Sequence, residues 1–84
     1  MALDKTEVIQ ILCGEIALIT RKDTAEVNAE ASLRDNGIDS MSFIEVLLFI
    51  KSEWGIDYLD RGLPSDAQNS VSALAEHICN NQGA

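Results

Sequence analysis

Residues 40–54 carry an apolar pattern that repeats with the period of an α-helix. At about 100° per residue, one arc of such a helix collects Phe43, Val46, Leu47, Ile50 and Trp54. A stripe of this width must be buried against other elements of the fold. Because no segment alternates apolar and polar residues as a half-buried strand does, we expect the chain to be all-α.

The same period occurs near both ends of the chain. It predicts a first helix over about residues 4–19, capped by Asp4, with Val8, Ile11, Leu12, Ile16 and Ile19 on its apolar face. It predicts a last helix over about residues 71–80, capped by Ser70, with Val71, Leu74, Ala75 and Ile78 on its apolar face. Residues 80–84 are expected to fray.

Two segments connect these helices. Residues 20–39 are polar and lack a sustained period, so they predict a long loop that reaches the core through Val27, Ala31, Leu33 and Ile38. Gly62 and Pro64 exclude one long helix after Gly55, which fits a helix C-cap. We expect a short helical segment within 57–69, either around residues 58–60 or from Pro64 onward. Residues 1–84 thus predict one domain, a small four-helix bundle. Three of its helices are the main ones, and the short one is the third in chain order.

Composition and charge limit the classes of function. The hydrophobic fraction of 46% is ample for a core, and the net charge is −8. That charge repels phosphate backbones, which argues against nucleic-acid binding and favours partners with basic docking surfaces. Because charges interrupt the first residues and no apolar run approaches a bilayer-spanning length, we expect a cytoplasmic chain without a membrane span.

The cysteines and acidic residues do not predict a metal site. Cys13 and Cys79 each lie within an apolar helical pattern, which favours reduced thiols, with a disulfide between the terminal helices as the alternative. The Cys and His residues are too few for a zinc site. An EF-hand register with Gly37 at its sixth position would place Arg34 and Phe43 at ligand positions, which excludes calcium.

Ser40 stands where the loop becomes the second helix. Gly37 is a turn residue, and Asp39 directly precedes the apolar period, so we expect Asp39 to cap the helix. The Ser40 hydroxyl then lies near the loop, either serving the cap alone or presented to a partner. Hydrolytic chemistry is disfavoured because G-x-S-x-G is missing and the sole histidine, His77, fits an ordinary exposed helix position.

The segment Gly37-Ile38-Asp39-Ser40-Met41 resembles the G-x-D-S-L motif of the acyl carrier protein family. The spacing resembles that of carrier proteins without gaps from Glu30 to Trp54, and Glu45 lies five residues after the serine. The resemblance implies a carrier rather than an enzyme. It implies 4′-phosphopantetheine attached to Ser40, transferred from coenzyme A by a phosphopantetheinyl transferase, with Asp39 as the preceding motif residue.

Such a chain, expected to be a monomer, would deliver an acyl thioester to partner enzymes of fatty acid, lipid or polyketide-type biosynthesis. A peptidyl or aminoacyl carrier and an unmodified helical adaptor are the alternatives.

A second apolar arc on the predicted second helix contains Met41, Ile44 and Leu48. With Glu45 it forms our expected contact surface for acyl-loading and acyl-processing enzymes, whose docking surfaces would be basic or apolar. The alternative is that a small core simply takes a wide stripe. Ser42, Lys51 and Ser52 stand where carriers of fatty acid synthesis are often acidic, which favours a stand-alone carrier of a specialised pathway.

Overall fold

The computed structural model describes residues 4–82. They form four α-helices: α1 (Lys5–Thr20), α2 (Ser40–Trp54), α3 (Tyr58–Arg61) and α4 (Val71–Gln82). Two 3-10 turns, Thr24–Glu26 and Ser65–Gln68, lie in the connections, and no strand occurs within these residues. The prediction of an all-α bundle with a short third helix is confirmed. No helix in the described part is both long and apolar enough to cross a membrane.

The core lies where the apolar stripes of the three long helices meet. α1 packs mainly on α4, and α2 contacts both α1 and α3. The fully enclosed side chains of these three helices are Val8, Leu12, Ile16, Val46, Ile50, Val71, Leu74, Ala75 and Ile78. Ile11 and Ile19, predicted on the same face of α1, are only half-buried. Burying a Leu, Ile or Val side chain contributes about 1.5–3 kcal/mol, so these stripes supply the main driving force of folding.

Side-chain oxygens and left-handed residues define the ends of the long helices. Asp4 accepts a hydrogen bond from the Thr6 amide at 3.0 Å, and the Ser70 hydroxyl accepts one from the Ala73 amide at 2.9 Å. α2 ends at Gly55, whose φ of 74° is readily accessible to glycine. These contacts satisfy backbone groups that a helix end otherwise leaves unpaired.

The region between α2 and α4 contains both predicted alternatives, since α3 covers Tyr58–Arg61 and a 3-10 turn follows Pro64. α4 continues beyond the predicted end at residue 80. The Asn81 side chain donates to the His77 carbonyl at 2.8 Å and supports the last described turn. The expectation of fraying was therefore wrong for residues 80–82, and residues 83–84 lie outside the described part.

The two cysteines are both free thiols. Cys13 is buried in α1 and Cys79 is half-buried in α4. Burial raises the pKa of the Cys13 thiol, which disfavours its reactive thiolate form. The reduced state agrees with the sequence prediction, and the alternative disulfide does not form.

Candidate functional site

Ser40 is the first residue of α2, and its side chain is exposed. Asp39 precedes it in extended conformation, with φ −86° and ψ −175°, and a carboxylate oxygen of Asp39 accepts the Ser42 amide hydrogen at 2.9 Å. Asp39 is therefore the N-cap that the sequence predicted. The capping bond is made by the Asp39 side chain and does not use the Ser40 hydroxyl. That hydroxyl therefore stays exposed at the start of the helix.

The electrostatics of this helix start are set by Asp39. The Ser42 amide and then the Ser42 hydroxyl hydrogen-bond to the carboxylate, and this lowers the pKa of Asp39 below its ordinary value of 3.8. The carboxylate stays ionised at neutral pH, where the partial positive charge of the helix N-terminus favours it. The cap is thus at full strength under physiological conditions.

An open groove of about 860 Å³ lies beside Ser40. Its walls come from the loop before α2, the first turns of α2 and the turn before α4. The lining residues are Ser32, Leu33, Arg34, Gly37, Ile38, Asp39, Ser40, Phe43 and Gln68. The groove combines an apolar floor of buried Leu33 and Ile38 with one exposed cation, Arg34, and one exposed anion, the capping Asp39. It can accept an extended group that starts at the serine and carries both anionic and apolar parts.

The loop that leads to Ser40 is held by the side chain of Asn36. The amide oxygen accepts the Asn28 backbone N–H at 2.8 Å, and the amide nitrogen donates to the Asn28 and Ser32 carbonyls at 2.9 Å each. A fourth, longer bond of 3.4 Å reaches the Ala31 carbonyl. Asn36 has an exposed fraction of 4%, and no other amide or charged side chain in the described part is buried. Sequence reasoning counted it only as a polar loop residue.

Two further sets of contacts hold this loop. Within it, the Lys22 ammonium, two residues after the end of α1, donates to the Asn36 carbonyl at 3.3 Å. From α4, the Val71 and Ser72 amides donate to the Ala31 and Ala29 carbonyls at 3.0 and 2.8 Å. Leu33 and Ile38 are buried as predicted, whereas Val27 and Ala31 are half-buried. The long segment before α2 is therefore an ordered wall of the groove.

Three apolar side chains of α2 face solvent rather than the core. Met41 is 78% exposed, Ile44 49% and Leu48 50%, and Glu45 between them is also exposed. The alternative of a wide core stripe is therefore wrong for these positions. Together with Leu59 of α3, which is 46% exposed, they give the described surface four of its five exposed large apolar side chains. Leu59 was missed because its helix is too short to show a period.

The far end of α2 is fixed against α3. Lys51 and Asp57 form an ion pair of 3.3 Å, and the Asp60 amide donates to the Asp57 carboxylate at 3.1 Å. The pKa of Asp57 is lowered mainly by the hydrogen bond from the Asp60 amide and, to a smaller extent, by the ion pair with Lys51. The ring of Phe49, to which no role was assigned from the sequence, packs edge-on against Trp54 with centroids 6.0 Å apart. The ion pair joins the C-terminal end of α2 to the start of α3.

His77 is not the exposed helix residue that the sequence predicted. It is half-buried, and its Nδ1 atom contacts the Tyr58 hydroxyl and, at 2.9 Å, the Asn81 side-chain nitrogen. It therefore belongs to the contact between α3 and α4. No group of three or more His, Cys, Asp or Glu residues lies together in metal-binding geometry in the part of the chain that the structure describes.

The sequence pattern of the family described as phosphopantetheine attachment site matches residues 10–78, most of the chain. The chain belongs to this family. The resemblance to carrier proteins is thereby confirmed, and the domain is one to which 4′-phosphopantetheine attaches covalently. A search of curated proteins found no match.

The groove and the helix start fit such a group. Phosphopantetheine attachment needs an accessible hydroxyl, room for an extended arm and compensation for an anionic phosphodiester. Ser40 is exposed, the open groove begins at it, and the N-terminus of α2 together with Arg34 supplies positive charge. Ser42, the next hydroxyl along α2, is half-buried and its amide is engaged by Asp39.

Proposed function

We propose that this protein is a non-catalytic acyl carrier that bears 4′-phosphopantetheine on Ser40. The observation that carries the proposal is the exposed hydroxyl of Ser40 at the first position of α2, beside an open groove, in a chain that belongs to the phosphopantetheine attachment family. Asp39 supports this placement by capping the helix without using the serine oxygen. The alternatives of a peptidyl or aminoacyl carrier differ in cargo and share the same attachment residue.

Ser40 acts as the acceptor when a phosphopantetheinyl transferase loads the chain. Its oxygen forms the new ester bond to a phosphorus of coenzyme A, its proton passes to a base of the transferase, and adenosine 3′,5′-bisphosphate leaves with the electrons of the broken P–O bond. The helix N-terminus and Arg34 offset the negative charge that this reaction brings to the site. When bound, the group supplies a terminal thiol that holds an acyl chain as a thioester.

The solvent-facing side of α2 is the surface that we assign to partner enzymes. Met41, Ile44 and Leu48 form an apolar strip that begins one residue after Ser40, and Glu45 adds a negative charge at its centre. Partners that bind this strip bring their active sites near the attachment point. An apolar groove with a basic rim complements it best.

The sparse charge of α2 favours a carrier of a specialised pathway. Ser42 and Ser52 are uncharged, and Lys51 is cationic and already paired with Asp57. A partner that docks through dense Arg and Lys patches would find few counter-charges on this helix. Polyketide, peptide, lipid-modification and cell-envelope routes are the classes that we favour over housekeeping fatty acid synthesis.

Two serine variants test the proposal. The wild type, Ser40→Ala and Ser42→Ala are incubated with coenzyme A and a broad-specificity phosphopantetheinyl transferase, and the intact masses are measured. We expect the wild type and Ser42→Ala to gain one phosphopantetheine and Ser40→Ala to gain none. Folding of each variant is checked by circular dichroism. A folded wild type that starts without the group and gains nothing would favour an unmodified helical adaptor.

A further inference from the structure

The buried amide of Asn36 needs both its oxygen and its nitrogen. The oxygen accepts from the Asn28 amide, while the nitrogen donates to carbonyls of Asn28, Ala31 and Ser32. Only a side chain that combines an acceptor with two donor hydrogens in one plane can satisfy this set. An aspartate lacks the donors, and a leucine of similar volume would leave the Asn28 N–H unpaired. The position is therefore chemically specific.

This amide lies four residues before Ser40, and the intervening residues are held one after another. The Gly37 amide donates to the Arg34 carbonyl at 2.9 Å, and the Ile38 amide donates to the Leu33 carbonyl at 3.0 Å. Gly37 has a φ of 97°, a conformation that side chains disfavour, and Ile38 is anchored in the core. Asp39 then caps α2. The path from the Asn36 side chain to the Ser40 hydroxyl is thus fixed at every residue.

The same amide also shapes the groove. The groove beside Ser40 is lined by Ser32, whose carbonyl this amide binds, by Arg34, two residues before Asn36, and by Gly37, directly after it. The Asn28 and Ser32 carbonyls also accept the backbone amides of Ala31 and Asn36 at 3.1 Å each, so loss of the side-chain amide would leave these turns intact. It would break the link between Asn28 and the turn at residues 32–37, and this wall could then move relative to the start of α2. The hydroxyl would remain exposed, but its position relative to the wall would no longer be unique.

We propose that Asn36 is a positioning residue for the modification of Ser40. The inference rests on the proposed attachment at Ser40 and adds how the chain presents it. Asn36 touches neither the donor nor the reacting oxygen, and it acts by holding the loop that sets where that oxygen lies. Since a displacement of about 1 Å can slow a reaction by about 100-fold, loss of this support should reduce the rate of transfer.

Asn36→Asp is the variant that tests this role, because it keeps the shape and the acceptor but places a carboxylate against three carbonyl oxygens. Transfer of phosphopantetheine by the broad-specificity transferase is measured at a temperature where circular dichroism shows the variant folded. We expect kcat/KM to fall by about tenfold or more, mainly through kcat, since the solvent-facing side of α2 is unchanged. A folded variant within about twofold of the wild type would overturn the proposal.

Ile78→Ala is the matched control for general destabilisation. Ile78 is fully buried in α4 and does not line the groove. At a temperature where it too is folded, we expect this variant to keep the wild-type kcat although its melting temperature falls. Equal losses of kcat in both variants would show that stability alone is responsible and would contradict a positioning role.

Amide hydrogen exchange of the wild type gives a second test that needs no variant. If the Asn36 side chain holds the loop, the Asn28 N–H that it accepts should exchange as slowly as amides in the middle of α2. Exchange at the rate of an open loop would overturn the proposal even if Asn36→Asp fails to fold. If the wild type never gains phosphopantetheine, the proposed function is wrong. If it gains the group but the Asn28 N–H exchanges fast, only the positioning role of Asn36 is wrong.

Discussion

The hydroxyl of Tyr58 and the Nδ1 atom of His77 form a hydrogen bond that joins α3 to α4. Tyr58 is 2% exposed, and burial raises the pKa of its hydroxyl, so the group keeps its proton and is the donor at neutral pH. The Asn81 amide also points at Nδ1, which assigns the imidazole proton to Nε2. A helix of four residues is thus joined to the last helix by a side-chain hydrogen bond and by the contact of the two rings, whose centroids are 5.5 Å apart.

Replacing Tyr58 with phenylalanine should therefore weaken the contact between α3 and α4. The change removes one buried hydrogen bond and leaves the ring, so we expect a loss of about 0.5–1.5 kcal/mol in the free energy of unfolding. Urea denaturation measures it. In a double-mutant cycle with His77→Leu, the two losses should be less than additive, and strict additivity would show that the bond contributes nothing.

Removing the cap of α2 should cost stability at the site itself. Asp39→Ala leaves the Ser42 amide without its side-chain acceptor, and we expect a lower urea midpoint than that of the wild type. Asp39→Asn is the control, because asparagine caps helices about as well as aspartate. If alanine and asparagine variants were equally stable, the observed hydrogen bond would not be what supports the helix start.

The same carboxylates predict how stability depends on pH. The pKa of Asp39 and that of Asp57 are lower in the folded chain than their ordinary value of 3.8, so the unfolded chain binds more protons in acid. Their contribution is fully present above that value and is lost as the pH falls through the folded pKa of each group. Urea midpoints measured between about pH 5 and pH 2 should fall less steeply in Asp39→Asn than in the wild type. Parallel profiles would contradict the lowered pKa of Asp39.

Two neighbouring leucines provide a direct test of the two faces of α2. Leu47 is 3% exposed and Leu48 is 50% exposed. Leu47→Ala should reduce the free energy of unfolding by about 2–5 kcal/mol because it leaves a cavity in the core. Leu48→Ala should cost less than about 1 kcal/mol, since half of its side chain is already in water.

For the KM of phosphopantetheine transfer we expect the opposite order, with the larger effect from Leu48→Ala. Transfer of phosphopantetheine to folded Leu48→Ala should show a higher KM, because the proposed docking strip loses one of its apolar members. Folded Leu47→Ala should keep the wild-type KM. The opposite ranking, in stability or in KM, would mean that the face assignment is wrong.

The three long helices and their buried faces could be predicted from the sequence because they depend on the spacing of apolar residues along the chain. The stripe from Val46 to Trp54 and the caps at Asp39 and Ser70 are local signals, and they predicted which residues lie in the core and where helices begin. Ser40 was predicted as the attachment residue from the resemblance of residues 37–41 to the G-x-D-S-L motif, since the turn glycine, the cap and the helix start alone equally fit a serine that serves only the cap.

Two of the features that sequence reasoning missed, at His77 and at Asn36, depend on contacts that the local sequence pattern does not show. His77 was assigned to solvent because a helical wheel cannot reveal a tyrosine 19 residues away. Asn36 looked like an ordinary loop residue because its partners, Asn28 and Ser32, are backbone groups that carry no sequence signature. A polar residue between two buried positions, Leu33 and Ile38, was the one available hint of a buried amide.

The most direct measurement of the central claim is to locate the attached group on the unaltered chain. After loading with coenzyme A and the transferase, trypsin should release the peptide Asp35–Lys51, which contains Ser40 and Ser42. Fragmentation of this peptide in a mass spectrometer assigns the added mass to one of the two. Our account predicts one phosphopantetheine on Ser40, and the same mass on Ser42, or no added mass on a folded chain, would contradict it.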